Sequence, residues 1–217
     1  MNLGESVLSA ENKYLQTLEG FFNETWGNTR LFSHDIDHHR RVWRYAKELL
    51  YVINSHGGTF APEFPGKLMI ACYMHDLGMS ADPGIRHGIH SREFCRQFLQ
   101  KNYPDEPGYE DLLDAVENHD NKEYATDDPS ENEILRLLSA ADDLDAFGYI
   151  GIYRYIEIYS ARGIRPELIG FEIKKNAMGR FQNFERNFGA YPELISKYRK
   201  IYLILDNFFT RYNKEIS

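Results

Sequence analysis

The sequence predicts an all-α, single-domain compact bundle. Three observations carry this. Apolar residues recur at helical spacing along most of the chain, and no run alternates with the two-residue period of a strand. The breaks between periodic stretches are short. A chain of 217 residues that is 42% hydrophobic can bury one substantial core, so one domain over 1–217 is the default at this length.

The first helix is expected at about 6–25, with Leu8, Leu15, Leu18 and Phe22 on one side. The second runs from about Asp37 to Asn54 and is ended by HGGT. The third, at about 66–77, stops at Gly78, a residue type common just past helix ends. The loop GMSADPGIRHGIHS follows, and Ser91 is placed to cap the next helix, REFCRQFLQK. After NYPDEPGY comes a helix at about 109–119, then the polar stretch DNKEYATDDPS. Ser130 and Glu133 form a capping-box pattern before ILRLLSAADDLDAF. Three more apolar helices are expected at about 149–161, 166–187 and 191–213, with Gly163 and Gly189 at helix ends.

Composition narrows the function. Lys and Arg total 25 against 33 Asp and Glu, a formal net charge of -8. An acidic surface argues against a nucleic-acid partner, which needs a basic patch, but permits a small anionic substrate held by a few local cations. Cys72 and Cys95 lie in apolar surroundings outside any CxxC pair and read as reduced core thiols. The N-terminal stretch has no basic start followed by an apolar run, and no apolar run approaches the roughly 20 residues of a membrane span. A cytoplasmic protein with no membrane partner is the expectation. The Tyr- and Phe-rich terminal helices would serve a homodimer interface as well as a monomer's core.

The stretch IACYMHDLGM reads as a buried helix that ends on His75 and Asp76. A carboxylate in such a place must be compensated. Other polar groups fall on apolar faces. Asp142 is four residues past Leu138, about 40° around the helix, and Asp145 is about 20° away, whereas Asp143 lies about 140° away, towards solvent. His38 shares a face with Val42, Tyr45 and Leu49; His39 is turned about 100° aside. His119 follows Leu112 and Val116 at helical spacing. The inward set is therefore His38, His75, Asp76, His119, Asp142 and Asp145. A lone inward His is usually a hydrogen-bonded core residue, and Asp145 reads more readily as a hydrogen-bonding neighbour of the ligands than as a ligand. Imidazoles and carboxylates converging from distant segments are best served by a divalent cation, and this donor mix suits Mn, Co, Fe, Ni or Zn, with Mg as an alternative.

His38, the doublet at 75 and 76 after an apolar helix, and then Asp142 together resemble the HD-domain superfamily of metal-dependent phosphohydrolases. HDIDHHRRVWRYA is similar to the family's first-ligand helix, and AADDLDAFGYIGIYR to its last-ligand segment. The resemblance covers roughly 30–155, leaving helices 156–217 to pack on that core. It implies a compact all-α bundle, the ligands His38, His75, Asp76 and Asp142, and hydrolysis of phosphoester or phosphoanhydride bonds of a small phosphorylated substrate, a nucleotide in the first place. Some members place a Glu shortly after the doublet; HDLGMSAD has none. Members with two metals draw extra histidines from the interval after the doublet, and the doublet Asp bridges. One ion is the main expectation here, with a second at His90 and His119 as the variant. A di-iron oxygenase of that type, or a non-catalytic metal-containing ligand-binding module, is the alternative function.

A bound ion would activate a water and polarise a phosphoryl oxygen. Asp76 and Asp145 are the catalytic candidates, Asp145 to orient that water or take its proton. Phosphoryl groups also need cationic partners. The loop candidates are Arg86, His87, His90, Arg92 and Lys122; Arg41, one turn from His38, and Arg154 come from helices. His34 and Asp35 are expected to fix the start of the His38 helix.

Overall fold

The computed structural model describes residues 2–84, 86–104, 108–121 and 132–216. Among the described residues it holds nine α-helices and no strand. The chain divides into two compact units, Met1–Lys122 with Asp128–Ala141, and Glu123–Asp127 with Asp142–Ser217.

The first unit contains α1 (Leu3–Trp26), α2 (Ile36–Ser55), α3 (Phe64–Met74), α4 (His87–Asn102), α5 (Glu110–Asn118) and the start of α6 (Glu133–Asp145). α3 lies at its centre. Every residue from Leu68 to Met74 is at most 1% exposed, and α1, α2, α4 and α5 all pack on it. A helix that is apolar on every side has no solvent face and must be surrounded. Its C-terminal end therefore delivers His75 and Asp76 into the middle of the unit. His75 keeps helical angles, and at Asp76 the chain leaves the helix for the short 3-10 turn Leu77–Ser80.

Capping explains where several helices begin. Asn2 and Glu5 form a reciprocal capping box, so α1 starts at Leu3, earlier than expected. Asp35 caps α2 by accepting from the Asp37 N–H at 3.0 Å, as expected. α6 is capped by Asn132, whose side-chain oxygen accepts from the N–H groups of Ile134 and Leu135 at 3.1 and 3.2 Å; Ser130 lies outside the described residues.

Two expectations around Gly78 change. α4 begins at His87, and Ser91 sits buried inside it, with its hydroxyl accepting from the Gly78 N–H at 2.8 Å. Gly78 is also more than a helix terminator. A Cβ there would lie 2.0 Å from the His87 carbonyl oxygen and 2.6 Å from the Ser91 nitrogen. A Cβ on Gly88 would lie 2.2 Å from the Glu117 carbonyl oxygen. These two glycines let α4 approach both the 3-10 turn and α5, and that approach fixes His87.

The second unit contains the end of α6, α7 (Gly148–Ala161), α8 (Pro166–Phe188) and α9 (Pro192–Ile216). α7, α8 and α9 pack against one another around an aromatic core, in which the Phe181 ring stacks on Tyr202 at 4.7 Å and Phe184 meets Tyr198 edge-on at 5.6 Å. Gly163, with φ at +71°, turns the chain out of α7, and Gly189 follows the end of α8. Tyr149, Tyr153 and Phe171 are exposed, so the aromatics of this unit are not all core.

Candidate metal centre

His38, on α2, and His75 meet with their Nε2 atoms 3.1 Å apart. Both face Oδ2 of Asp76, at 3.4 and 3.3 Å. On the other side of the same carboxylate, Oδ1 lies 3.0 Å from Nε2 of His119 and 3.4 Å from Nε2 of His87. Those two imidazoles have their Nε2 atoms 3.4 Å apart. All five residues are buried. Asp76 therefore carries a pair of histidines on each oxygen. The donor atoms of His38, His75 and Asp76 lie within 4.8 Å of one another, as do those of Asp76, His87 and His119.

The outward nitrogens decide the chemistry. Nδ1 of His75 donates to the Cys72 carbonyl at 3.0 Å, Nδ1 of His119 to the Val116 carbonyl at 2.8 Å, and Nδ1 of His87 to the Gly84 carbonyl at 2.7 Å. A carbonyl only accepts, so the proton of each neutral ring sits on Nδ1 and its Nε2 is a lone pair. Neutral rings would set those lone pairs against a carboxylate; protonated rings would crowd several positive charges into one dry site. A divalent cation relieves both, by taking the lone pairs and balancing the carboxylate. Two ligands on one such ion, at about 2.1 Å each, stand about 3.0 to 3.4 Å apart, and the separations here fall in that span. The residues fit a transition metal at each oxygen of Asp76, with backbone carbonyls fixing the tautomers.

With no cation between them, burial would raise the Asp76 carboxyl, but a charged His75 and hydrogen bonds from protonated His119, His38 and His75 outweigh it and hold the group well below the usual carboxylate range. Burial lowers His75, and Asp76 offsets this only in part. Burial would also lower His87, but its bond to Asp76 and the charge there raise it to about 9.

The second cluster differs in one member from expectation. The structure brings His87, not His90, to His119 and Asp76. His90 lies nearly one turn further along α4 and is half-exposed. The sequence places His87 among the substrate-loop cations; in the structure it is the first residue of α4 and its ring is buried.

In the second unit, Asp142 and Asp145 are buried, as the helical face requires, and so is Asp143, expected at the surface. Arg180, on α8, covers that side of the helix: its Nη1 donates to Asp143 Oδ1 at 2.6 Å and to Asp142 Oδ2 at 3.1 Å. Arg154 donates to Asp142 Oδ1 and to Asp145 Oδ2, each at 3.1 Å. Arg180 is held in turn by Asn176, which also accepts from the Tyr155 hydroxyl at 2.7 Å. Arg154, a candidate for phosphate, is thus engaged by two carboxylates, and Asp145 by Arg154.

Among the other cationic candidates, Arg41 is half-exposed on α2. The exposed Arg86 side chain leans on Asp82 at 3.4 Å. Arg92 is engaged by Glu117 and Glu110 at 2.9 and 3.1 Å, which makes it a tie between α4 and α5. Lys122 lies outside the described residues.

Three residues near these clusters were not singled out as inward from the sequence. His39 is buried, with its ring against Phe22 and Nδ1 donating at 3.0 Å to the same Cys72 carbonyl that His75 uses. Burial, then the charges of His75 and His38, keep it neutral. α2 is covered on two sides, by α1 and by α3, so its aside-turned residue is core. His34 turns its ring inward, with Nε2 3.9 Å from Asp76 Oδ2. Arg180 stood too far along the chain for any local pattern to join it to Asp142.

The family model described as HD domain matches residues 35–146, which spans both the α2 histidine and Asp142. No curated protein and no solved structure matches the chain. No helix among the described residues is long and apolar enough to cross a membrane.

Proposed function

Because the chain belongs to the HD-domain family, whose members are generally metal-dependent phosphohydrolases, we propose that it hydrolyses a phosphoester or phosphoanhydride bond of a small phosphorylated substrate, a nucleotide in the first place. The observation that carries this reading is the Asp76 carboxylate with histidine Nε2 atoms at both oxygens. When bound, a divalent ion here supplies a water of lowered pKa and polarises the phosphoryl oxygen it meets. His38, His75 and Asp76 would hold that ion, with Asp142 as the fourth ligand the sequence implies; His87 and His119 with Asp76 would hold a second.

The Ser139 hydroxyl donates to the His119 carbonyl at 3.1 Å, which ties α6 to the end of α5 just past the helix. α6 then runs on unbroken through Asp142. Arg154 and Arg180 fix the plane of the Asp142 carboxylate, and Asp145 anchors Arg154. Arg41, close to His38 on α2, would serve a substrate oxygen, with Arg86 and His90 as further cationic groups. The net charge of -8 supports a small substrate over a polymer of phosphates.

The test is reconstitution of chelator-treated protein with Mn, Co, Ni, Fe, Zn or Mg, followed by phosphate release from nucleoside mono-, di- and triphosphates. Turnover should need the metal and vanish in Asp76→Ala. Turnover that survives Asp76→Ala would remove the doublet from the mechanism. The two-sided Asp76 also supports a second reading, a di-iron oxygenase; two irons per chain with oxygen uptake and no phosphate release would favour it.

A further inference from the structure

We propose that His34 is a substrate-contacting residue of this centre, whose Nε2–H donates to an anionic oxygen of the phosphorylated substrate. The proposal rests on the phosphohydrolase reading and adds to it a residue outside the matched segment 35–146.

His34 ends the 3-10 turn Phe32–His34 that precedes α2, and it is 4% exposed. Its ring centre lies 5.3 Å from that of His38. Its Nε2 points to Oδ2 of Asp76 from 3.9 Å, the same oxygen that His38 and His75 approach to 3.4 and 3.3 Å. It belongs to neither group of mutually close donors, so it stands beside the ligands, on the side of His38.

Its hydrogen-bonding chemistry differs from theirs. His75, His87 and His119 direct Nδ1 at carbonyls, which fixes their Nε2 atoms as lone pairs. His34 directs Nδ1 at the Ser33 hydroxyl, 2.8 Å away. A hydroxyl can donate. With Ser33 Oγ–H donating to Nδ1, the ring proton of His34 sits on Nε2, and the residue shows the centre an N–H where its neighbours show lone pairs. An N–H cannot ligate a cation, but it is the group a phosphoryl oxyanion needs. Ser33 is itself buried, at 2% exposure, so this hydrogen bond is made away from solvent.

The experiment compares wild-type, His34→Ala, His34→Gln and Ser33→Ala chains loaded with Mn. It measures metal per chain, the thermal midpoint and the affinity for inorganic phosphate by calorimetry, with turnover measured in parallel. Metal content should not change. Phosphate affinity should fall on the order of ten- to a hundredfold in His34→Ala, the loss of one hydrogen bond to a charged group. It should recover in part in His34→Gln, whose amide still donates, and fall less in Ser33→Ala. Should His34→Ala fail to fold, the other two variants carry the test. Unchanged phosphate affinity at full metal content would overturn the proposal alone. Metal loss in His34→Ala would overturn it by making His34 a ligand. A wild-type protein that holds metal but neither binds phosphate nor releases it would overturn the proposal together with the reading beneath it.

Discussion

The Nε2 atoms of His38 and His75 face each other at 3.1 Å, while Nδ1 of His75 donates to the Cys72 carbonyl. Two imidazole nitrogens adopt that approach when something positive lies between them, a proton or a metal. Asp76 Oδ2 on the same spot favours the larger charge. Four consequences can be measured.

Asp76→Asn should empty both sites. The amide is neutral and its nitrogen cannot ligate, so both histidine pairs lose their shared anion. Metal content after dialysis should fall to near zero, with the far-UV dichroism retained. A variant that keeps its full complement of metal would show that Asp76 is not the bridge.

His119→Ala should remove one ion and leave the other. His119 touches Oδ1 at 3.0 Å, and the His38–His75 pair uses Oδ2. Metal per chain should halve in saturating Mn. Loss of all metal, or of none, would break the assignment of separate oxygens.

Gly78→Ala should both destabilise the fold and disturb His87. The new methyl would meet the His87 carbonyl oxygen at 2.0 Å, backbone that cannot yield cheaply, and overpacking of this kind costs about 1 to 3 kcal/mol or more. Gly20→Ala is the control, because nothing lies within 4 Å of its Cβ position. In the exposed interior of α1 it should stabilise by roughly 0.5 to 1 kcal/mol. Urea denaturation should separate the two in sign.

Arg180→Met should destabilise the second unit strongly. Asp143 is 0% exposed and faces Arg180 at 2.6 Å, and Asp142 shares the same guanidinium. Removing one partner of a buried pair costs about 3 to 5 kcal/mol, at the lower end here because Arg180 keeps 13% exposure. Asp143→Asn should recover part of that loss in the double variant, since an amide is cheaper to bury alone than a carboxylate. Simple additivity in denaturation midpoints would show that the two do not act as a pair.

Much of this was legible in the sequence, for reasons particular residues make plain. His38, His75, Asp76 and His119 could be chosen because each continues an apolar helical face or ends a buried helix. His87 could not, because it is the first residue of α4 and has no preceding turn to show its direction; only the close packing at Gly78 and Gly88 turns it inward. Helical periodicity turns His39 and Asp143 outward only where a helix buries a single face. α2 is covered on two sides, and Arg180 returns from α8 to cover Asp143. Ser91 has the sequence character of a helix cap, which points to a later start for α4, whereas its hydroxyl serves Gly78 from inside the helix. His34 carries no periodic signal at all, since a 3-10 turn of its length has no face to extend.

The most direct test of the central claim is an anomalous difference map from crystals grown with Mn or Zn. A peak within ligand distance of Asp76 Oδ2 and of the Nε2 atoms of His38 and His75 is the expected result, with a second beside Oδ1, His87 and His119 at saturating metal. A well-ordered protein with no anomalous peak at either oxygen of Asp76, in crystals soaked to saturation, would contradict it.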